Sequence, residues 1–560
     1  MEQKTCPENP EHSKPLCTSN QPKAPFCPLE GLAETPVNLE QLIKWLDKYP
    51  DRNSAHELQE GFKSGFKIAY EGLREPRISK NHTSAQQHAH IVEDKLMKEV
   101  SAGRVAGPFR SPPIDNLTIS PIGLVGKNTP GEFRLIFDLS YPEGNSVNFG
   151  IPREKSSVVY TKFDAVTDMV QRLGSGAFLV KLDIKSAFRL LPLHPQEFSL
   201  MGMAHNGAVF VDKALPFGCA ISCALFEQFS TFLEWCARAA AASENLIHYL
   251  DDFCGCEQTE TQAAALLQAT LQVFDRLGVP VAPEKVEGPT TVLKFLGLIV
   301  DTVKMEVRVP QDKIEDLRAQ LAFVKSAAKV TLKDLQSLLG KLNFACRAIV
   351  PGRPFCRRLI NATCGIHKSY HRIRVTQAMK ADLAIWEQFL QDFNGRSFML
   401  EKNWVDSASL HLYTDAAGSV GFGACFQNHW VYGHWPEHWK VTSPDITFKE
   451  LFPIVLAVHL WAAEFVNRKI IIYCDNKAVV EIINKQSTRS IPSMHLLRLL
   501  VLQCLQYNVL LRAKHIPGVH NNAADALSRG QIHKFRALVP QADTHPAAIP
   551  ATLQRLFQLK

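Results

Sequence analysis

Leu246-Ile247-His248-Tyr249-Leu250-Asp251-Asp252-Phe253-Cys254 is an apolar run that reads as a buried strand turning back on itself, with two adjacent carboxylates at the turn. Two like charges about 4 Å apart repel by roughly 4 kcal/mol at an effective dielectric near 20. A buried pair therefore requires protonation, a basic partner or a metal ion. No Lys or Arg stands between Arg238 and Arg276, so a divalent cation is the leading local explanation. Oxygen-only ligands favour Mg²⁺ or Mn²⁺ over Zn²⁺. The competing reading is an ordinary hairpin turn, since Asp tolerates tight turns and bonds its own backbone.

Around this run the chain has the composition of a globular protein, 46% hydrophobic and 21% charged over 560 residues, a length that predicts several packed domains. Lys and Arg number 62 against 55 Asp and Glu, a mild basic excess compatible with a polyanionic partner. The 14 cysteines are scattered without a zinc-spaced CxxC pair, which predicts reduced thiols and a cytoplasmic or nuclear setting. Cys6, His12, Cys17 and Cys27 are too irregularly spaced to make a strong metal cluster. The apolar stretch Leu451 to Phe465 is broken by Pro453, His459 and Glu464 and is too short to span a bilayer, so no membrane association is expected. Nor does the N-terminus resemble a signal peptide.

Residues 1–36 read as a disordered lead-in and 37–105 as a helical extension with apolar positions at Leu39, Leu42, Ile43 and Leu46. Gly107-Pro108 and Ser111-Pro112-Pro113 mark a boundary. Strands then follow at 122–125, 133–138, 178–183 and 209–213, with a short one at 294–300. Pro310 to Leu400 reads as mainly helical, its clearest helix starting at Thr331 with a capping-box spacing to Asp334. A second α/β unit begins near Leu410, with strands at 410–414, 421–426, 469–474 and 509–513, and helices at 447–465, 477–483 and 492–506.

Asp183 closes the apolar strand Ala177 to Leu182, and opposite the Asp251-Asp252 hairpin it would complete a three-carboxylate cage. Such a cage suits in-line attack on phosphate assisted by two metals about 3.5–4 Å apart. Tyr249-Leu250-Asp251-Asp252 and Lys181-Leu182-Asp183-Ile184-Lys185-Ser186-Ala187-Phe188 resemble the two catalytic motifs of reverse transcriptases. The resemblance continues in order. Phe133 to Asp138 looks like the fingers strand whose arginine, here Arg134, grips the incoming triphosphate, and Lys127 lies where the family keeps a second phosphate-binding lysine. Leu215-Pro216-Phe217-Gly218 looks like the turn that packs against nucleotide and template, and Pro283-Glu284-Lys285 like the segment supplying a lysine near the leaving pyrophosphate. Phe295-Leu296-Gly297 resembles the primer-grip hairpin. By the same resemblance Phe188 is a steric gate against a ribose 2′-OH; taken alone, an aromatic beside a strand end is core. Ser222-Cys223 and Glu227 depart from the family's usual residues.

Downstream, Asp415, Glu450, Asp475 and Asp525 stand at strand ends and helix starts. Each has a structural alternative: Glu450 as capping-box partner of Thr447, Asp475 as a helix cap, Asp525 as an answer to a helix dipole. As an ordered set they resemble the Asp, Glu, Asp, Asp of retroelement RNase H, with His515, in His515-Ile516-Pro517-Gly518, matching that family's mobile histidine and Asn521 fitting the same loop.

The resemblance spans about residues 85–530 and implies an α/β (α+β) chain: a right-hand polymerase, fingers and palm over 106–300 and a helical thumb and connection over 301–404, then an RNase H-like domain over 405–530 and a tail or linker over 531–560. It implies RNA-directed DNA polymerase and ribonuclease H activities, with Mg²⁺ (or Mn²⁺) held by Asp183, Asp251 and Asp252 and again by Asp415, Glu450, Asp475 and Asp525. The implied partners are RNA template, DNA primer, RNA–DNA hybrid and dNTPs. Basic positions such as Arg347, Arg353, Arg357 and Arg358 are expected to hold duplex phosphates. The wording of Asp138 to Asn148, and the want of an aspartic-protease box or an integrase zinc pattern, resemble a DIRS-type retroelement more than a gypsy-like one, with the tail as a linker to a recombinase-like region. The rival from another class is an inactive nucleic-acid-binding remnant, whose signature would be lost acids; all seven are present.

Overall fold

The computed structural model describes residues 25–127, 131–392, 396–398, 403–440, 444–516 and 521–558. Cys6, His12 and Cys17, and Pro517 and Gly518 of the histidine loop, lie outside the described residues. The architecture is mixed α/β, as expected, and divides into two compact units: 1–159 with 184–235 and 274–280, and 160–183 with 236–273 and 281–560.

The first unit is built on a five-stranded sheet, in spatial order Arg77–Ile78, Thr118–Ile119, Gly202–His205, Ala208–Asp212 and Val105–Phe109. Gly107-Pro108, read from sequence as a break, is a bulge inside the last strand, whose register against Ala208–Asp212 shifts between Ala106 and Phe109. The helices expected over the N-terminal extension form at Leu39–Leu46 and Arg52–Ser64, capped by Asn38 and Asp51. Their aromatic faces meet the 222–241 helix through Trp45 on Trp235, Tyr49 on Phe232 and Phe62 on Phe229. The expected helix from Thr83 breaks at His88 into Thr83–Gln87 and Ala89–Ser101. Over 25–36 the disordered lead-in is corrected. Cys27 bridges to Gly107, Thr35 Oγ1 donates to the Leu190 carbonyl at 2.7 Å, and buried Lys213 donates to the carbonyls of Pro28 and Glu30. Buried Cys27 and Ala33 and the ring of Phe26 against Phe109 add apolar contacts, but these are too few among prolines and polar residues to give composition a sign of the segment.

In the second unit a four-stranded sheet runs Glu287–Thr290, Phe178–Asp183, Asp252–Glu257, Leu246–Tyr249. Val166, Met169 and Val170 of the 164–173 helix join Leu179, Cys254 and Cys256 in its core. The segment expected as one strand at 294–300 is a hairpin, Val292–Phe295 with Leu298–Asp301, turning at Leu296 and Gly297, both at positive φ. Thr331 and Asp334 form the expected capping box, and Leu332, Leu335, Leu338, Leu339 and Leu342 are buried along one face.

The later α/β part carries the antiparallel strands Leu412–Ala417, Gly421–Phe426 and His429–His434 and the parallel strands Trp404–Asp406, Lys469–Cys474 and Leu510–His515. Its helix Ile446–Trp461 continues to Phe465 in a tighter turn, and by length and composition alone it could cross a membrane. It is apolar because it is core: Phe448, Leu451, Phe452, Val455 and Leu456 are all buried. Residues 531–558, expected as a tail or linker, instead pack onto this part. The Ile532–Leu538 helix buries Phe535 against Trp430, and Phe557 lies on Phe422, Phe452 and Trp439.

Candidate active sites

Asp183 ends its strand directly opposite Asp252, the two Cα atoms being partners in the antiparallel register. Asp252 is also paired with Tyr249 across the hairpin, so the turn is Leu250-Asp251, with Leu250 in the left-handed region at φ +53°. A non-glycine residue there costs of order 1–3 kcal/mol and persists where the surroundings over-determine it. Burial, then the charges of Asp251 and Asp183, push the Asp252 carboxyl up to about 7.

Sequence adjacency offered no cation for this group, but the fold does. Ala282 N–H donates to the Asp183 carbonyl at 2.9 Å, the turn Pro283–Lys285 follows, and Lys285 Nζ reaches Asp183 Oδ1 at 2.7 Å. Partial burial alone would favour the neutral amine, but the hydrogen bond and charge of Asp183 raise the Lys285 pKa. One ammonium against three carboxylates leaves the group short of positive charge, as the upward shift of Asp252 records. Among the described residues no three His, Cys, Asp or Glu side chains are arranged to enclose an ion as they stand. By donor chemistry and by uncompensated charge, the residues fit a hard divalent cation.

In the first unit, Arg134 lies on the hairpin Ile122–Gly126 with Phe133–Phe137, opposite Val125, and Lys127 directly follows its first strand. Lys127 forms an exposed ion pair with Glu132 at 3.0 Å. Both line a cavity of about 420 Å³ together with Lys95, Lys98, Ser186, Arg189 and Phe217. Lys95 and Lys98 escaped the sequence reading. Their spacing of three on the Ala89–Ser101 helix was the available signal, hidden among that helix's mixed charges. Phe188 is 7% exposed, with its ring edge-on to Phe217 at 4.9 Å and Phe226 at 5.2 Å. Gly218 sits against the Phe137 carbonyl and accepts a hydrogen bond from Asn148 Nδ2 at 2.8 Å.

The later acids come from separate elements. Asp415 is on the Leu412–Ala417 strand, Glu450 on the Ile446–Trp461 helix, Asp475 directly after the Lys469–Cys474 strand, and Asp525 in the first turn of the Asn522–Ser528 helix. Burial first, then the charges of Asp475 and Asp415, push Glu450 up to about 8. Asp415 is raised by burial, against a hydrogen bond from Ser528 Oγ, and further by Asp525 and Asp475. The fold thus brings all four into one field. Two of the structural alternatives fail: Asp445, not Thr447, caps the Glu450 helix, and Asn476, not Asp475, caps the next. Asp525 keeps its place near a helix start and pairs with Arg529 at 2.7 Å.

His515 ends the Leu510–His515 strand, exposed and in register with Cys474, beside Asp475 in the chain. Asn521 Nδ2 donates to the Thr414 carbonyl at 2.7 Å, tying the start of the last helix to the Asp415 strand. A cavity of about 320 Å³ adjoins the acids, lined by Thr414, Glu450, Tyr473, Asp475 and Ile516. Of the arginines expected to meet duplex phosphates, Arg353 and Arg357 are exposed. Arg347 is exposed as well while donating to the Leu296 carbonyl, and Arg358, half-buried, is engaged with Asp382 at 3.2 Å.

Residues 139–300 match the family model described as reverse transcriptase (RNA-dependent DNA polymerase). Protein P of duck hepatitis B virus (strain China) is 27% identical over 279 residues, covering 48% of this chain and 33% of that protein. The Gag-Pro-Pol polyprotein of Mason-Pfizer monkey virus is 25% identical over 291 residues, 49% of this chain and 15% of that protein. The chain thus spans a third or less of these relatives. Among solved structures, the foamy viral protease-reverse transcriptase in complex with RNA/DNA hybrid has a TM-score of 0.49 at 15% identity, covering 86% of this chain and 63% of that one.

Proposed function

We propose, for a chain whose residues 139–300 are of the reverse transcriptase family, that it copies RNA into DNA and degrades the RNA strand of the resulting hybrid. The observation that carries the reading is the in-register opposition of Asp183 and Asp252 across the sheet, with Asp251 in the adjoining turn. Mg²⁺, or Mn²⁺, bound by these three carboxylates supplies Lewis acidity at phosphate oxygens. Lys285 neutralises part of the carboxylate charge before substrate arrives and is placed to meet an anionic leaving group. Arg134, as a planar fork, and Lys127, as a point charge, bind the triphosphate of a dNTP. Phe188 and Phe217 present aromatic surface to sugar and base, and Gly218 lets the backbone there pack closely.

For the nuclease, Asp415, Glu450, Asp475 and Asp525 hold the same kind of ion. Their support is that burial and the charges of neighbouring acids raise both carboxyls, Asp475 and Asp415 acting on Glu450, and Asp525 and Asp475 on Asp415. Exposed His515 is placed to assist release of the cut strand. RNA template, DNA primer and hybrid are the partners, and the cytoplasm or nucleus the setting. Within the family we favour a DIRS-type element, on the wording of residues 138–148.

The test is primer extension on an RNA template with Mg²⁺, run beside hybrid cleavage for the full chain, Asp251→Asn and Asp475→Asn. Asp251→Asn abolishes DNA synthesis and spares cleavage; Asp475→Asn does the reverse. Survival of both activities in both variants overturns the assignment.

A further inference from the structure

Arg189, the residue after Phe188, is 9% exposed, and its guanidinium is spoken for on every side. Nε and Nη2 donate to Glu99 Oε2 at 3.0 and 2.9 Å, and Nη1 donates to Asp212 Oδ2 at 2.8 Å and to the Ala214 carbonyl at 3.0 Å. The acceptors belong to three segments: the Ala89–Ser101 helix, the Ala208–Asp212 strand and the backbone leading into Pro216-Phe217-Gly218. Both acids are themselves anchored. Glu99 accepts two bonds from Arg104 at 2.8 and 2.9 Å, and Asp212 Oδ1 accepts from Ala214 N–H at 3.2 Å. Arg189, Glu99 and Asp212 also line the cavity that holds Lys127, Arg134 and Phe217.

A buried ion network of this kind is weak support for stability, because desolvation consumes most of the Coulombic gain; what it supplies is directionality. Here the direction is imposed on a four-residue 3-10 turn, Ala187–Leu190, entered through Ser186 at φ +61°. Phe188, at the centre of that turn, meets Phe217 and Phe226 edge-on, so its ring position follows the turn's backbone. Phe217 itself is 59% exposed.

We infer that Arg189, clamped by Glu99 and Asp212, is a positioning residue for Phe188 and so sets how strictly the polymerase rejects ribonucleotides. The inference rests on the reading of Phe188 as the sugar gate. Removal of the clamp leaves the turn's backbone to shift under the ring, and a shift of about 1 Å is enough to degrade a positioned contact.

The experiment measures kcat/KM for a dNTP over the matching rNTP, on an RNA template with the full-length chain. It compares wild type, Phe188→Val, the volume-matched double variant Arg189→Met with Asp212→Asn, and Arg189→Lys, with thermal unfolding alongside. The expected result is a discrimination ratio at least tenfold lower for Phe188→Val and for the double variant, and a smaller loss for Arg189→Lys. The double variant's unfolding temperature stays within a few degrees of wild type. A ratio unchanged within twofold in the double variant, while Phe188→Val lowers it, overturns the positioning role alone. An unchanged ratio in an active Phe188→Val overturns the gate reading and the inference with it. Should the double variant not fold, Glu99→Gln and Arg189→Lys decide by the same ratio.

Discussion

Gly218 has no side chain because none fits: a Cβ built there would lie 1.8 Å from the Phe137 carbonyl oxygen, which belongs to backbone and cannot swing away. Gly218→Ala must therefore displace the Phe133–Phe137 hairpin that carries Arg134. The expected outcome is a raised KM for dNTPs together with a lower unfolding temperature, measured by steady-state extension and calorimetry; an alanine variant with unchanged KM would separate the turn from nucleotide binding. A second residue-scale expectation concerns acid. Burial disfavours the charge of Glu99, but hydrogen bonds from Arg104 and the charges of Arg189 and Arg104 outweigh it and bring its pKa down from 4.5 to about 2. A depressed folded-state pKa contributes stability that is complete above the unfolded value and is lost as pH falls through the folded one. The window is thus from about pH 4.5 down to about pH 2, and the contribution at neutral pH is about 3 kcal/mol. Glu99→Gln is expected to lose that amount at pH 7 and to show a flatter acid limb in denaturant titrations.

Elements were legible where one period or one cap decided them. The Leu332–Ala345 helix was readable from its leucine face and from Thr331 with Asp334, both of which hold in the structure. Thr331→Ala should cost about 1 kcal/mol, read as a lower denaturation midpoint with an unchanged slope. Strands Gly421–Phe426 and Lys469–Cys474 stand where their apolar runs place them, whereas Gly202–His205 and His429–His434 went unread. Met203-Ala204-His205 and Tyr432-Gly433-His434 lack a sharp apolar alternation, and these strands exist because a neighbour supplies the hydrogen bonds. The acids were legible as motifs, but their surroundings were not. That Lys285 sits on Asp183, 102 positions away in sequence, and that Asn476 takes the cap Asp475 might have taken, are facts of tertiary geometry. Nothing in local spacing encodes them.

At the scale of the whole molecule, Asp183, Asp251, Asp252 and Lys285 share one compact unit with the four later acids, and Lys127, Arg134, Phe188, Phe217 and Gly218 belong to the other. The segment 531–558 is part of the former. Trp430 Nε1 donates to the Asp543 carbonyl at 2.8 Å, Ala547 N–H donates back to the Trp430 carbonyl at 2.7 Å, and Leu553 and Leu556 are buried. Phe557 lies 5.9 Å from Phe422 and 5.3 Å from Phe452, ring to ring. Phe422 is the strand partner of Ala416, next to Asp415, and Phe452 follows Glu450 by two residues on its helix. The C-terminal segment therefore braces the helix that carries Glu450 and the strand paired with that of Asp415, although it bears no catalytic motif. Leu553→Ala, removing a fully buried side chain, is expected to cost about 2–5 kcal/mol. Its signature is specific: hybrid cleavage falls at 37 °C and recovers on cooling, while amide exchange speeds up in Gly421–Phe426. If exchange in that strand were unchanged while cleavage fell, the segment would act on the nuclease by contact with the hybrid rather than through the sheet.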